Sequence, residues 1–139
     1  MKTMEIKMKK FKTNRNKTGA LTFIEGQRDV PFEIRRIYYI YDTEPEAHRG
    51  FHMHKKLQQY LVCVHGSCMI LLDDGMTRRT VELNHPEEGL YVCSNVWREM
   101  YQFSKGAVLM VLASDYYDES DYIRNYDEFL KYVKKGEND

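Results

Sequence analysis

The sequence carries no surplus of either charge: 21 lysines and arginines balance 21 aspartates and glutamates over 139 residues. A general nucleic-acid binder needs a basic excess, so that class is set aside, whereas a small anionic ligand needs only a local cluster of positive charge. Long apolar runs are missing too. None approaches membrane-spanning length, and the lysine-rich start has no apolar core of signal-peptide size. The expectation is a cytoplasmic protein with no membrane partner. Cysteine is scarce: Cys63, Cys68 and Cys93 are odd in number, form no C-x-x-C pair and sit in apolar, strand-like contexts. Reduced, buried thiols fit that pattern better than a disulfide framework.

Tyrosine is plentiful. Eleven tyrosines within a 13% aromatic content suit a β-rich domain with amphipathic binding walls. The length fits one domain over residues 1–139, with a core that needs no covalent staple.

Short runs rich in β-branched and aromatic residues, separated by turns, fill most of the chain. Ile34 to Tyr41 reads as a strand with Arg36, Tyr38 and Ile40 on one face and Arg35, Ile37, Tyr39 and Tyr41 on the other. Leu21 to Glu25, Tyr60 to Val64, Cys68 to Leu72, Arg78 to Leu83, Gly89 to Cys93, Arg98 to Phe103 and Ala107 to Ala113 read as further strands. Asn14 to Gly19 has turn chemistry, and His65-Gly66-Ser67 has hairpin spacing. From about Asp121 the pattern changes: Tyr122, Ile123, Tyr126, Phe129, Leu130 and Val133 recur as one face of a helix, with Asp118 or Ser120 as its cap. The predicted architecture is all-β, a sandwich or barrel over residues 10–117, followed by a C-terminal helical segment over 118–135.

Within Arg49-Gly50-Phe51-His52-Met53-His54, strand alternation points His52 and His54 the same way. Such a pair can be half of a metal site, a proton-transfer site or a structural cluster. The order of elements resembles a cupin, a double-stranded β-helix or jelly-roll barrel, whose metal motif runs H-x-H, then a glutamate, then a glycine. Here His52-x-His54 is followed by Gln59 and Gly66, so the spacing fits but the carboxylate is an amide. The second motif's histidine corresponds to Arg98, which cannot ligate while charged. Losing two of four ligands removes the basis for a metal site. What remains is acid–base chemistry. Neutral imidazole is a base near pH 7, and an α-hydroxyketone tautomerises through an enediol when a proton moves between neighbouring carbons. The developing oxyanion needs a positive charge or a donor, with Arg49, Arg98, Tyr38 and Tyr39 as candidates. His48, His65 and His85 fall in turns or loops, and Trp97 reads as a packing residue.

Several longer stretches carry a more specific resemblance: Ile34 to Ile40, Arg49 to Lys56, Gly89 to Val92, Val96-Trp97, and Val111 to Glu119 continuing through Asp121 to Arg124. Over roughly Lys10 to Tyr132 the chain resembles the bacterial sugar nucleotide 3,4-ketoisomerases, cupins that act on dTDP-4-keto-6-deoxyglucose. The resemblance implies a homodimeric, cofactor-free and metal-independent isomerase that makes a dTDP-3-keto-6-deoxyhexose for the amino sugars of surface glycans. It implies His52 and His54 as the proton-transfer pair, with Arg49 and Tyr38 or Tyr39 on the diphosphate or sugar. Beside them, Tyr39 and Arg98 are the further catalytic candidates, and Arg49, Tyr38, Arg36, Lys55 and Gln59 are the candidates to bind the dTDP-linked 4-keto-6-deoxy sugar. Lys56 adds to the positive charge beside the pair. One departure stands out, since the family usually has W-H-E where this chain has Trp97-Arg98-Glu99. A non-catalytic nucleotide-sugar-binding cupin and a related 4-keto-sugar epimerase are the alternatives.

Overall fold

Alternating burial along short segments produces two antiparallel sheets whose apolar faces meet. The computed structural model describes residues 4–137. In chain order its strands are β1 (Met8–Lys10), β2 (Thr13–Asn16), β3 (Gly19–Thr22), β4 (Arg36–Ile40), β5 (Arg49–His54) and β6 (Gln59–His65). They continue as β7 (Cys68–Asp73), β8 (Arg78–Leu83), β9 (Glu88–Val92), β10 (Trp97–Tyr101), β11 (Val108–Ala113) and β12 (Tyr122–Ile123), before helix α1 (Tyr126–Glu137). One five-stranded sheet runs β1-β9-β6-β11-β4 and the other β12-β5-β10-β7-β8, with β2-β3 a separate hairpin. Leu61, Leu90, Leu109 and Val111 of the first sheet pack against Ile70, Leu72, Leu83 and Met100 of the second. Two sheets closing on a shared apolar layer match the expected all-β, cupin-like fold. Among the described residues no helix is long and apolar enough to cross a membrane.

Several local expectations need correction. His65-Gly66-Ser67 does not close a hairpin, because β6 pairs with β9 and β11 while β7 pairs with β8 and β10. It is a corner between the sheets. A second corner, Ser104-Lys105-Gly106, holds it: Ser67 N donates to Ser104 Oγ and Ser104 N to Ser67 O, each at 2.9 Å. Residues 13–16 and 19–22 form the β2–β3 hairpin, so the strand expected at Leu21–Glu25 starts earlier and the turn is shorter.

The helix also begins later than its apolar spacing predicts. Tyr122 and Ile123 form β12 and pair with His54 and Met53. Two adjacent apolar residues satisfy a helix stripe and a strand edge equally, and here the open edge of β5 captures them. Asp118 caps a 3-10 turn at Glu119–Asp121, whereas Asn125 caps α1 by accepting from Glu128 N at 3.0 Å. Phe129 of α1 is fully buried and packs with Met53 and Trp97, which covers the outer face of β5.

A bulge sets the aim of the functional face. Opposite β10, Arg98 pairs with His52 and Glu99 with Gly50, leaving Phe51 as the extra residue. Gly50 (φ 93°) and Phe51 (φ 56°) both take left-handed conformations there. A Cβ on Gly50 would lie 2.8 Å from the Arg98 carbonyl oxygen, so glycine is required at this close approach.

Candidate active site

Beyond the bulge, His52 and His54 project from one face of β5, ring centroids 5.0 Å apart and nearly perpendicular. Met53 points oppositely into the cluster under α1. Each imidazole is fixed by its Nδ1. His52 Nδ1 lies 3.0 Å from the Gly50 carbonyl oxygen, and His54 Nδ1 lies 3.0 Å from Asp121 Oδ2. A carbonyl can only accept, and the Asp121 carboxylate already accepts from Lys56 N and Leu57 N. Both Nδ1 atoms therefore donate, which leaves a lone pair on each Nε2. Both Nε2 atoms are buried and have no hydrogen-bond partner.

Behind the pair lies Arg98, fully buried. Its Nη1 donates to Gln59 Oε1, its Nη2 donates to Val96 O at 3.0 Å, and Gln59 Nε2 donates to the Tyr38 hydroxyl at 2.9 Å. The two positions that depart from the cupin metal pattern are thus bonded to each other. Among the described residues no carboxylate pairs with Arg98, and no three His, Cys, Asp or Glu side chains gather into a metal-binding group. A buried guanidinium with no counter-anion is costly, and burial draws its pKa down to about 10.

Burial and, after it, that cation both hold the histidines neutral. Burial, then the Arg98 charge, lowers His52 to about 4. The same two causes in the same order lower His54 to about 2. Asp121 pulls His54 the other way, but loss of hydration and the surrounding cations outweigh one neutralising contact. Both imidazoles are neutral bases at pH 7. The unfolded chain takes up these protons near about 6.5 and the folded chain only at lower pH, so this contribution to stability is present above that value and is lost as pH falls.

Two cavities flank the pair. The larger, about 390 Å³, is lined by Arg36, Arg49, Arg124, Tyr38, His52 and Tyr122 among others. The smaller, about 180 Å³, is lined by His54, Asp121, Lys56, Ser114, Arg36 and Tyr122 among others. Three guanidinium groups around one cavity supply the local positive charge that the neutral total concealed. Tyr39 lies on the opposite face of β4 from Tyr38, 60% exposed, and borders the larger cavity. Lys55 lines neither.

Residues missed in the sequence come from 117–124. The Tyr122 ring packs on both imidazoles, with centroids 5.0 Å from His52 and 4.3 Å from His54. Arg124 lies over Tyr122 and is bonded to Glu119, which also accepts from the Tyr117 hydroxyl. The resemblance already included this stretch, but its residues carried no role because a helix there would have pointed them elsewhere.

Comparison with known proteins agrees with this geometry. A family model described as FdtA: WxcM-like, C-terminal matches residues 4–134. The chain is 54% identical over 132 residues, 95% of both chains, to a TDP-4-oxo-6-deoxy-alpha-D-glucose-3,4-oxoisomerase of Aneurinibacillus thermoaerophilus. A 3,4-ketoisomerase from Helicobacter canadensis superposes with a TM-score of 0.91 at 49% identity, covering 95% of this chain and 99% of that one. The 3,4-ketoisomerase QdtA from Thermoanaerobacterium thermosaccharolyticum, with one histidine replaced by asparagine and in complex with TDP-4-keto-6-deoxyglucose, gives a TM-score of 0.92 at 49% identity over 94% of both chains.

Proposed function

This chain belongs to the FdtA, WxcM-like C-terminal family, and from that premise we propose how its buried histidine pair performs a 3,4-ketoisomerisation. The protein is an enzyme, a ketoisomerase acting on a TDP-linked 4-keto-6-deoxy sugar. The reaction moves the carbonyl from C4 to C3, a carbon-bound proton from C3 to C4 and a hydroxyl proton from O3 to O4, with no net oxidation. The C3–H bond breaks as an Nε2 lone pair takes the proton. The C3 electrons form the C3–C4 double bond, and the C4 carbonyl becomes an enediolate oxygen. A proton is returned to C4 and the C3 hydroxyl proton passes to the C4 oxygen, which leaves the ketone at C3 and a hydroxyl at C4. The observation that carries this reading is the pair of neutral, tautomer-fixed imidazoles whose Nε2 atoms are free.

The other roles follow from charge and position. Arg98, buried without a counter-anion, is placed to offset the negative charge that develops on the enediolate, and Gln59 and Tyr38 hold it in place. Arg36 and Arg49 bind the diphosphate from the larger cavity, with Tyr39 at its border. Incubation with dTDP-4-keto-6-deoxyglucose, followed by NMR of the sugar carbons, tests the activity. The expected product is the 3-keto isomer, and dTDP binding with no isomer formed contradicts the reading.

A homodimer is part of the same proposal. Ile37, Tyr39 and Tyr41 expose more than half of their surface along β4 and just beyond it, and β4 is a sheet edge with unpaired backbone groups. Sedimentation equilibrium is expected to give twice the 16.6 kDa chain mass, and the mass of one chain at micromolar concentration refutes it. Cytoplasmic action is supported by three free cysteines, of which Cys93 is exposed.

A further inference from the structure

Asp121 stands outside the set of residues that the sequence assigned to catalysis, yet each of its three oxygens accepts a hydrogen bond from His54 or one of the three residues after it. Its Oδ2 accepts from His54 Nδ1 at 3.0 Å and from Leu57 N at 3.3 Å, and its Oδ1 accepts from Lys56 N at 2.8 Å. Its own carbonyl accepts from Lys55 N at 2.9 Å, and the next residue, Tyr122, pairs with His54 across β12 and β5. The carboxylate is therefore held by backbone N–H groups at one place and presents one oxygen to the imidazole. His52, by contrast, is fixed by the Gly50 carbonyl of its own strand.

Resting on the ketoisomerase reading above, we propose that Asp121 is a positioning residue for the isomerisation: it holds His54 in the Nδ1–H tautomer so that the Nε2 lone pair faces the reacting carbons. A histidine with no directing acceptor divides between two tautomers, and the Nε2–H form has no lone pair on the atom that must take the proton. An anchored carboxylate removes that form. It also stabilises the imidazolium that exists while His54 carries the substrate's proton.

Asp121→Asn separates this role from simple anchoring. With its amide oxygen on Lys56 N, the variant keeps the main-chain pairing of the 121 position as before, and of the anchoring bonds only that from Leu57 N, the longest at 3.3 Å, is lost. Its NH2 group then meets His54 Nδ1, and two donors cannot face each other. The imidazole yields by moving its proton to Nε2. The expected result is a fall in kcat on the order of 10²–10⁴-fold, the range for loss of a general base, with KM and the melting temperature close to wild type. Long-range ¹H–¹⁵N NMR is expected to show the His54 proton on Nδ1 in the wild type and on Nε2 in the variant. A kcat near that of the wild type overturns the proposal, as does a lost kcat with the Nδ1–H tautomer retained. The wild-type spectrum gives a check free of any folding defect in the variant, because an Nε2–H tautomer there refutes the proposal directly. These spectra need no substrate, so a wild-type protein that fails to isomerise the sugar refutes the functional reading without deciding the role of Asp121.

Discussion

Replacing His54 or His52 with asparagine is expected to lower kcat by on the order of 10²–10⁴-fold, the typical contribution of a general acid or base. Asparagine is the informative choice because its amide N–H can stand where Nδ1–H stands, donating to Asp121 or to the Gly50 carbonyl. The hydrogen bond that orients the side chain survives, and the Nε2 lone pair is lost. The substitutions therefore test the base and leave the scaffold alone, so melting temperature and dTDP affinity should stay near wild type. If the two imidazoles work as one relay, the double variant is little worse than either single variant, since effects within a catalytic unit do not add. A single variant within a few-fold of wild type removes that imidazole from the mechanism.

Arg98→Met is expected to have the second-largest effect, for two linked reasons. The guanidinium is the charge placed to meet the enediolate, and losing such a preorganised electrostatic group costs on the order of 10²–10³ in kcat. It is also the second cause, after burial, of the lowered pKa at both histidines. Removing a cation favours the imidazolium, so the histidine pKa values rise toward the ordinary 6.5 or so. In the wild type the acid limb of kcat/KM is expected at or below about pH 4, where His52 protonates. In Arg98→Met that limb moves to higher pH. Methionine keeps most of the volume, so the two readouts are not confounded by a cavity. A variant with unchanged kcat and an unmoved acid limb would make Arg98 a structural residue tied to Gln59.

Much of this site was legible because its residues sit within single strands. His52 and His54 share a face by alternation, and Tyr38 and Arg36 do so on β4, opposite Tyr39. The substitutions at Gln59 and Arg98 were visible as departures from a spacing. The structure adds that the amide and the guanidinium hold each other across β6 and β10. Three features were hidden for physical reasons. The bulge at Gly50 and Phe51 depends on the approach of Arg98 from a strand nearly fifty residues away, which a local pattern does not contain. The two sheet-to-sheet corners have the length of hairpin turns, and only the pairing partners of β6, β7, β10 and β11 distinguish them. Tyr122 and Ile123 fit a helix stripe as well as they fit a strand edge. Once Tyr122 pairs with His54 instead, the whole 117–124 segment folds over the imidazoles and brings Asp121, Tyr122 and Arg124 into the site.

The central claim is a proton transfer confined to C3 and C4 of the sugar by bases in contact with water through the neighbouring cavities. Running the wild-type reaction on dTDP-4-keto-6-deoxyglucose in D2O and reading each ring carbon by NMR tests it most directly. The account predicts deuterium at C4 of the 3-keto product and at C3 of the recovered substrate, with the C5 proton retained. A C3 position that keeps its proton, or exchange at C5 alongside C3, would contradict it.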